Sequence, residues 1–288
     1  MGFVTFQEVE EIFNRSWRFA FSKKKFLLVF ASLLACGVLV VFCKTLSFAA
    51  GPWVMMSLSF LPVFLCTGVL LGTGVLLSRI YYHEVKGNSI QFRKLLIDSF
   101  EVFMGAAYLS LPMALGYLLL WTLMGIFYLL KSLPMIGEGI GILLSFGPFL
   151  LVLASLLLGL FSLLVLFYAT PHIALKKQVQ FYIAEEILDR LKISPFSNII
   201  LLLIGLAPVL VCVGFLTLAA YLTGLGYVTA KAVLGVSLQW FFIMIPFSLL
   251  LTPFVVFFFN FATESFGLFS RRTRSKERVP GEECASQL

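Results

Sequence analysis

Charge is scarce in this chain. Asp, Glu, Lys and Arg make up 12 % of its 288 residues, about half the share of an ordinary soluble domain. With 60 % of residues hydrophobic and a mean hydropathy of +1.03, a water-facing globule is excluded. Histidine occurs twice and cysteine five times. Cys36, Cys43, Cys66 and Cys212 fall in apolar runs, where a thiol behaves as a small hydrophobe, and Cys284 stands in a polar tail. There is no Cys-x-x-Cys pair and no Cys/His cluster at metal-ligand spacing. That pattern argues against a disulfide framework or a metal centre, and no cofactor is expected.

What the chain has instead is long apolar runs: Phe26–Ala50, Trp53–Leu77, Val102–Leu130, Ile140–Thr170, Ile199–Thr223 and Ala232–Asn260. Each reaches the roughly 20 residues that a helix needs to cross a bilayer. The expected fold is therefore all-α and polytopic, with six transmembrane helices. None of the runs has a charged residue near its centre, where one would cost at least about 2.5 kcal/mol. Proton- or sodium-coupled transporters work through intramembrane carboxylates. Rhomboid-like proteases need a nucleophile motif with a membrane-embedded histidine, and intramembrane phosphotransferases hold metal on a run of aspartates. This sequence offers none of these patterns, and no enzyme activity is expected. Residues 137–141, "GEGIG", follow no strand and read as a turn rather than a nucleotide loop.

The basic residues set the orientation. Arg15, Arg18 and Lys23–Lys25 precede the first run, and Arg79, Lys86, Arg93 and Lys94 lie between the second and third. Lys176, Lys177, Arg190 and Lys192 lie between the fourth and fifth, and five more follow the sixth. Only Lys44, Lys131 and Lys231 fall on the other side, so 18 of 21 share one face. The positive-inside rule then predicts cytoplasmic N- and C-termini. The net charge of +7 belongs at a membrane surface carrying anionic headgroups, not on nucleic acid. The stretch "KKKFLLVFASLLACG" (residues 23–37) imitates a lipoprotein signal. However, 22 residues precede its lysines and the apolar run continues past Cys36, so it reads as a permanent span.

Residues 3–21 place Phe3, Phe6, Val9, Ile12, Phe13, Trp17 and Phe21 at three- and four-residue steps. That spacing predicts an amphipathic helix lying in the cytoplasmic interface, with Phe6, Val9, Ile12, Phe13 and Trp17 as membrane-interface residues. The segment has a second copy: "FQEVEEIFNR" (6–15) matches "FYIAEEILDR" (181–190) at five of ten positions. A fainter third, "LLIDSF" (95–100), aligns with "IFNRSW" (12–17). Each copy precedes two spans, so the chain reads as three helix-plus-hairpin repeats, residues 3–77, 88–170 and 174–260, within one membrane domain 1–260. The three would close around a pseudo-threefold axis. Residues 261–288 read as a disordered polybasic cytoplasmic tail.

Arg15-Ser16-Trp17-Arg18 and Tyr168-Ala169-Thr170-Pro171 carry a resemblance. An amphipathic segment ending in a Ser-aromatic pair before a span, with Tyr-x-x-Pro after a later one, resembles a broad family of six-helix bacterial integral membrane proteins. The same pattern occurs in the membrane domain fused to some glycerophosphodiester phosphodiesterases. The likeness spans most of residues 3–260, but Arg190-Leu191-Lys192 lacks the Ser-aromatic pair and no soluble phosphodiesterase domain is attached. The resemblance implies the fold and a bacterial inner-membrane location, and it implies no activity.

Two functional expectations follow. The first is a non-enzymatic membrane protein that organises lipids or protein partners through its interfacial helices. The alternative is a transporter or channel for a neutral or lipid-like substrate, with Thr67, Thr73, Ser145, Ser162, Thr217 and Gln239 as polar groups along a path. A continuous polar groove would favour transport, whereas a dry centre filled by Gly and Phe would favour the first. His83 and His172 each close a repeat just after its second span. They are the polar candidates for metal binding or pH sensing, set against a plainer role as interfacial side chains. Gly68, Gly72 and Gly74 form a small-residue surface for close helix packing.

Overall fold

The computed structural model describes residues 6–47, 50–87, 102–131, 146–176, 195–223 and 233–282. Seven helices carry the described chain: α1 Phe6–Arg18, α2 Lys23–Ser47, α3 Pro52–Val85, α4 Leu111–Lys131, α5 Gly147–Lys176, α6 Pro195–Leu222 and α7 Val233–Glu282. No strand occurs among the described residues. Six of the seven, all but α1, are long and apolar enough to cross a membrane, so the fold is all-α and polytopic.

Helix ends follow from local chemistry. Residues 102–108 are helical, but the chain turns at Leu109-Ser110 before α4 resumes. Pro112 has no N–H to donate and so sits in the first turn of the new helix, where none is needed. The hydroxyl of Ser110 caps the break by donating to the Ala107 carbonyl at 2.7 Å. Pro148 likewise occupies the first turn of α5, while Pro62, Pro171 and Pro208 lie within continuous helices.

The second helix of each apolar hairpin packs inward. α3, α5 and α7 all touch one another. Around them, α2 packs on α3 and α7, and α4 packs on α5 and α3. α6 packs on α7 and meets α5 where Tyr168 donates a hydrogen bond to the Asn198 carbonyl. Each outer helix therefore leans on its own partner and on one neighbouring hairpin, a cyclic arrangement. The second and third copies of the amphipathic motif (95–100 and 181–190) lie outside the described residues, as do the "GEGIG" turn and Ser145.

The structure departs from the sequence reading at three places. α3 runs eight residues beyond Leu77, to Val85. Its last turns carry polar side chains, which end a hydropathy run but not a helix, because they find partners inside the protein. α7 does not stop at Asn260: Phe261, Ala262, Thr263, Ser265 and Phe266 are buried, and the backbone stays helical through Glu282. The packing face of α7 therefore runs past the expected boundary at 261. Apolar residues recurring at helical spacing (Phe258, Phe261, Ala262, Phe266) carry the packing face past the hydropathy boundary. Residues 283–288 lie outside the described residues.

The third departure concerns α1. Ile12 is buried, and Val9 and Phe13 pack against the core. The Phe13 ring meets Phe257 edge-on at 4.9 Å, and Trp17 meets the same ring at 5.4 Å. Of the expected interface residues, Phe6 stays 83 % exposed and Trp17 36 % exposed at the rim. α1 packs on protein because the prolonged α7 presents Phe257 and Phe261 to the face that sequence periodicity assigns to lipid.

Candidate functional site

Polar chemistry gathers near α1, where the first turn of α2 and the last turns of α3 and α5 approach residues 260–264 of α7, hereafter the α1 end. Three lysines open α2, yet only Lys23 and Lys24 are exposed. Lys25 is fully buried. Its Nζ lies 2.5 Å from Glu84 Oε2, donates to the Phe19 carbonyl at 3.4 Å, and sits over the Tyr81 ring at 4.9 Å and the Phe19 ring at 5.8 Å. An ammonium removed from water needs this much compensation: a carboxylate, a carbonyl and two aromatic faces. The pair ties the first turn of α2 to the last turn of α3.

A second set of contacts ties α3 to α7 and α1. The Tyr81 hydroxyl donates to Glu264 Oε1 at 2.7 Å, and the same oxygen lies 3.7 Å from the Arg15 guanidinium. One helical turn away, Thr263 donates to Ser78 Oγ at 2.9 Å, and Asn260 Nδ2 donates to the Ser16 carbonyl at 3.3 Å. Arg79 Nε donates to the Ala174 carbonyl at 3.2 Å. Ala174 falls in the last turn of α5, where carbonyls lack intrahelical partners, so Arg79 serves as a cap supplied by another helix. A cleft of about 250 Å³ opens beside this layer, lined by Glu8, Glu11, Ile12, Arg15, Glu264, Gly267 and Leu268.

At the opposite end, hereafter the far end, the described residues show fewer such contacts. Lys44 lies over the Trp240 ring at 5.7 Å, and Thr45 and Ser237 share a hydrogen bond of 2.9 Å.

The histidines singled out in the sequence meet different neighbours. His83 lies edge-on to Tyr82 at 6.0 Å, and His172 is buried edge-on to Phe266 at 5.8 Å. Among the described residues, no group of three His, Cys, Asp or Glu could hold a metal ion. Lys25, Arg79, Tyr81, Glu84, Asn260 and Glu264 were not singled out by sequence. A signal for them exists: Asn260, Thr263 and Glu264 share one helical face, as do Ser78 and Tyr81, just beyond where their hydropathy runs end.

In the buried core beside this layer, aromatic rings lie on glycines. A Cβ on Gly74 would strike Phe259 and come within 2.6 Å of the Thr170 methyl. A Cβ on Gly205 would lie 2.8 Å from Phe261 and 3.1 Å from Phe167. Gly68 and Gly72 meet Ser110 and Phe103 in the same way, so all three glycines of "GVLLGTG" are used for close approach. The polar groups weighed as a transport path are largely bound to their own helices. Thr67, Thr73, Ser162 and Thr217 donate to carbonyls four residues back. Thr73 also reaches Ser32, and Ser162 reaches the Met113 sulfur. This arrangement holds helices together: Lys25 pairs with Glu84 and Arg15 with Glu264, Arg79 caps a carbonyl, and most of the hydroxyls satisfy backbone. Comparison with protein-family models, with curated proteins and with solved structures gave no match to this chain.

Proposed function

We propose that this protein is a non-enzymatic membrane protein that organises lipids or protein partners through helices at its α1 end. The same reading puts it in a bacterial inner membrane with both termini cytoplasmic, as a relative of the six-helix bacterial membrane proteins it resembles. The observation that carries the reading is the packed core, where Phe259 and Thr170 lie on Gly74 and Phe261 and Phe167 lie on Gly205. A solute path there would require rings locked in a packed core to move, whereas a scaffold requires only that they stay. The apolar outer faces of α4, α5 and α6 are the surface that lipid would cover, with Leu119, Leu129, Phe149, Leu157 and Phe215 well exposed.

The test is reconstitution in liposomes. Passage of neutral solutes and flip-flop of fluorescent lipids should be no faster than in protein-free vesicles. Native mass spectrometry of the protein extracted with its surroundings should show retained lipid or a protein partner. Protein-dependent flux would overturn the reading in favour of a transporter or channel. Reporter fusions after Arg18, at Gly87 and at the C-terminus should read as cytoplasmic, and one at Gly51 as external.

A further inference from the structure

The turn from α1 to α2 sorts its side chains by chemistry. Ala20 and Lys25 turn inward and are fully buried, and Phe19 packs edge-on against Tyr81 at 5.8 Å. Arg18, Phe21, Lys23 and Lys24 turn outward. Phe21 is 61 % exposed and lies edge-on to Trp17 at 5.7 Å, and Trp17 is held in turn against Phe254 at 6.0 Å. The result is an aromatic ledge fixed to α7 and flanked by three exposed cations. The ledge continues along α2 as a stripe at helical spacing, because Leu27, Ala31, Ala35, Val38, Phe42 and Leu46 are all exposed. Ala31 and Ala35 make that stripe shallow just beyond Leu27.

We propose that this ledge is a binding site for an anionic phospholipid. Its phosphate sits among Arg18, Lys23 and Lys24, and an acyl chain runs from Trp17 and Phe21 along Leu27. The inference rests on the lipid-organising reading and names the lipid class. Charge complementarity selects an anionic headgroup. Continuity with an apolar stripe that runs almost the full length of a membrane-length helix selects a lipid over a soluble acidic protein. The burial of Lys25 sharpens the assignment, since that lysine is paired with Glu84 inside the protein and stands outside the site.

Trp17 itself can report occupancy. The full chain, placed in nanodiscs containing brominated phosphatidylglycerol or brominated phosphatidylcholine at equal mole fraction, is compared with its Trp17→Phe variant to isolate the Trp17 emission. Phosphatidylglycerol should quench at a mole fraction lower by at least roughly fivefold, the effect of a single cation near the surface. Removing the charges together (Arg18→Gln, Lys23→Gln, Lys24→Gln) should equalise the two lipids, while Lys44→Gln at the far end should leave the preference intact. Equal quenching by both lipids in the parent protein would overturn the site and leave the lipid-organising reading standing. Absence of quenching by either lipid would overturn the site by showing the ledge covered by something else, a second copy or a soluble partner. Solute flux in the liposome assay would instead overturn the broader reading, whatever Trp17 reports.

Discussion

Lys25 and Lys44 stand near opposite ends of α2, and the protein treats them differently. Lys25 is enclosed by a carboxylate, a carbonyl and two rings. Lys44 is half-buried and lies over one indole, with a stem long enough for its charge to reach water. Five of the helices are tied together at the α1 end by named polar contacts, whereas the described residues of the far end show fewer, Thr45 with Ser237 and Tyr117 with the Ser57 carbonyl among them. Specific polar contacts set which helices meet and in what register, a task that lipid-like apolar surfaces do poorly because hydrocarbon surrounds every face alike.

The largest effect should come from breaking the Lys25 pair. Glu84→Ala leaves a buried ammonium without its carboxylate and is expected to cost about 3 kcal/mol. That is the low end for a buried pair, because Glu84 is partly exposed. Unfolding in mixed micelles would measure it. The double variant Lys25→Met with Glu84→Leu should return close to the parent or above it. If the double variant were as unstable as Glu84→Ala, the pair would hold the helices by more than charge compensation.

Next in size is the packed core. Gly74→Ala drives a methyl into Phe259 and Thr170 and should cost about 1–3 kcal/mol. Gly214→Ala, in the far-end half of α6 with nothing within 4 Å of a new Cβ, should be neutral or gain up to about 1 kcal/mol from helix propensity. Thermal midpoints of the two variants side by side would show whether tightness is confined to the packed core and the α1 end.

A smaller change is expected from the clasp on α1. Arg15 is half exposed, so its pair with Glu264 should contribute about 0.2–1 kcal/mol and weaken in high salt. Tyr81→Phe removes the closer contact to Glu264 and should cost about 1 kcal/mol. Both should make the backbone around Arg15 more open to protease without unfolding the bundle, whereas Glu84→Ala should affect the whole. Smallest is Lys44→Ala, expected to change stability by less than about 0.5 kcal/mol, as for an exposed cation over a ring. A loss as large as that of Glu84→Ala would erase the contrast between the ends.

Much of the fold was legible because hydropathy acts over whole segments. A run of about 20 apolar residues has no stable place in water, so the spans could be read before any contact was known. The amphipathic period of α1 was legible for the same reason, and Gly68, Gly72 and Gly74 announced close packing. The polar layer was legible only as shared helical faces, Asn260 with Thr263 and Glu264 and Ser78 with Tyr81, and not in its pairings. Average hydropathy treats Tyr81, Glu84, Asn260 and Glu264 as the end of a span. Only their partners show that the helix goes on.

The sequence by itself thus determined an all-α chain with six helices of membrane length and a separate amphipathic first helix, because those depend on the transfer of continuous segments from water. The tertiary structure decided which of three adjacent lysines is buried, that α7 carries its packing face past Asn260, and that α1 docks on Phe257 and Phe261. Those outcomes turn on contacts between residues up to 249 positions apart, as between Arg15 and Glu264. A buried polar group is stable only when its partner is in place, and where that partner stands is a property of the packed helices together.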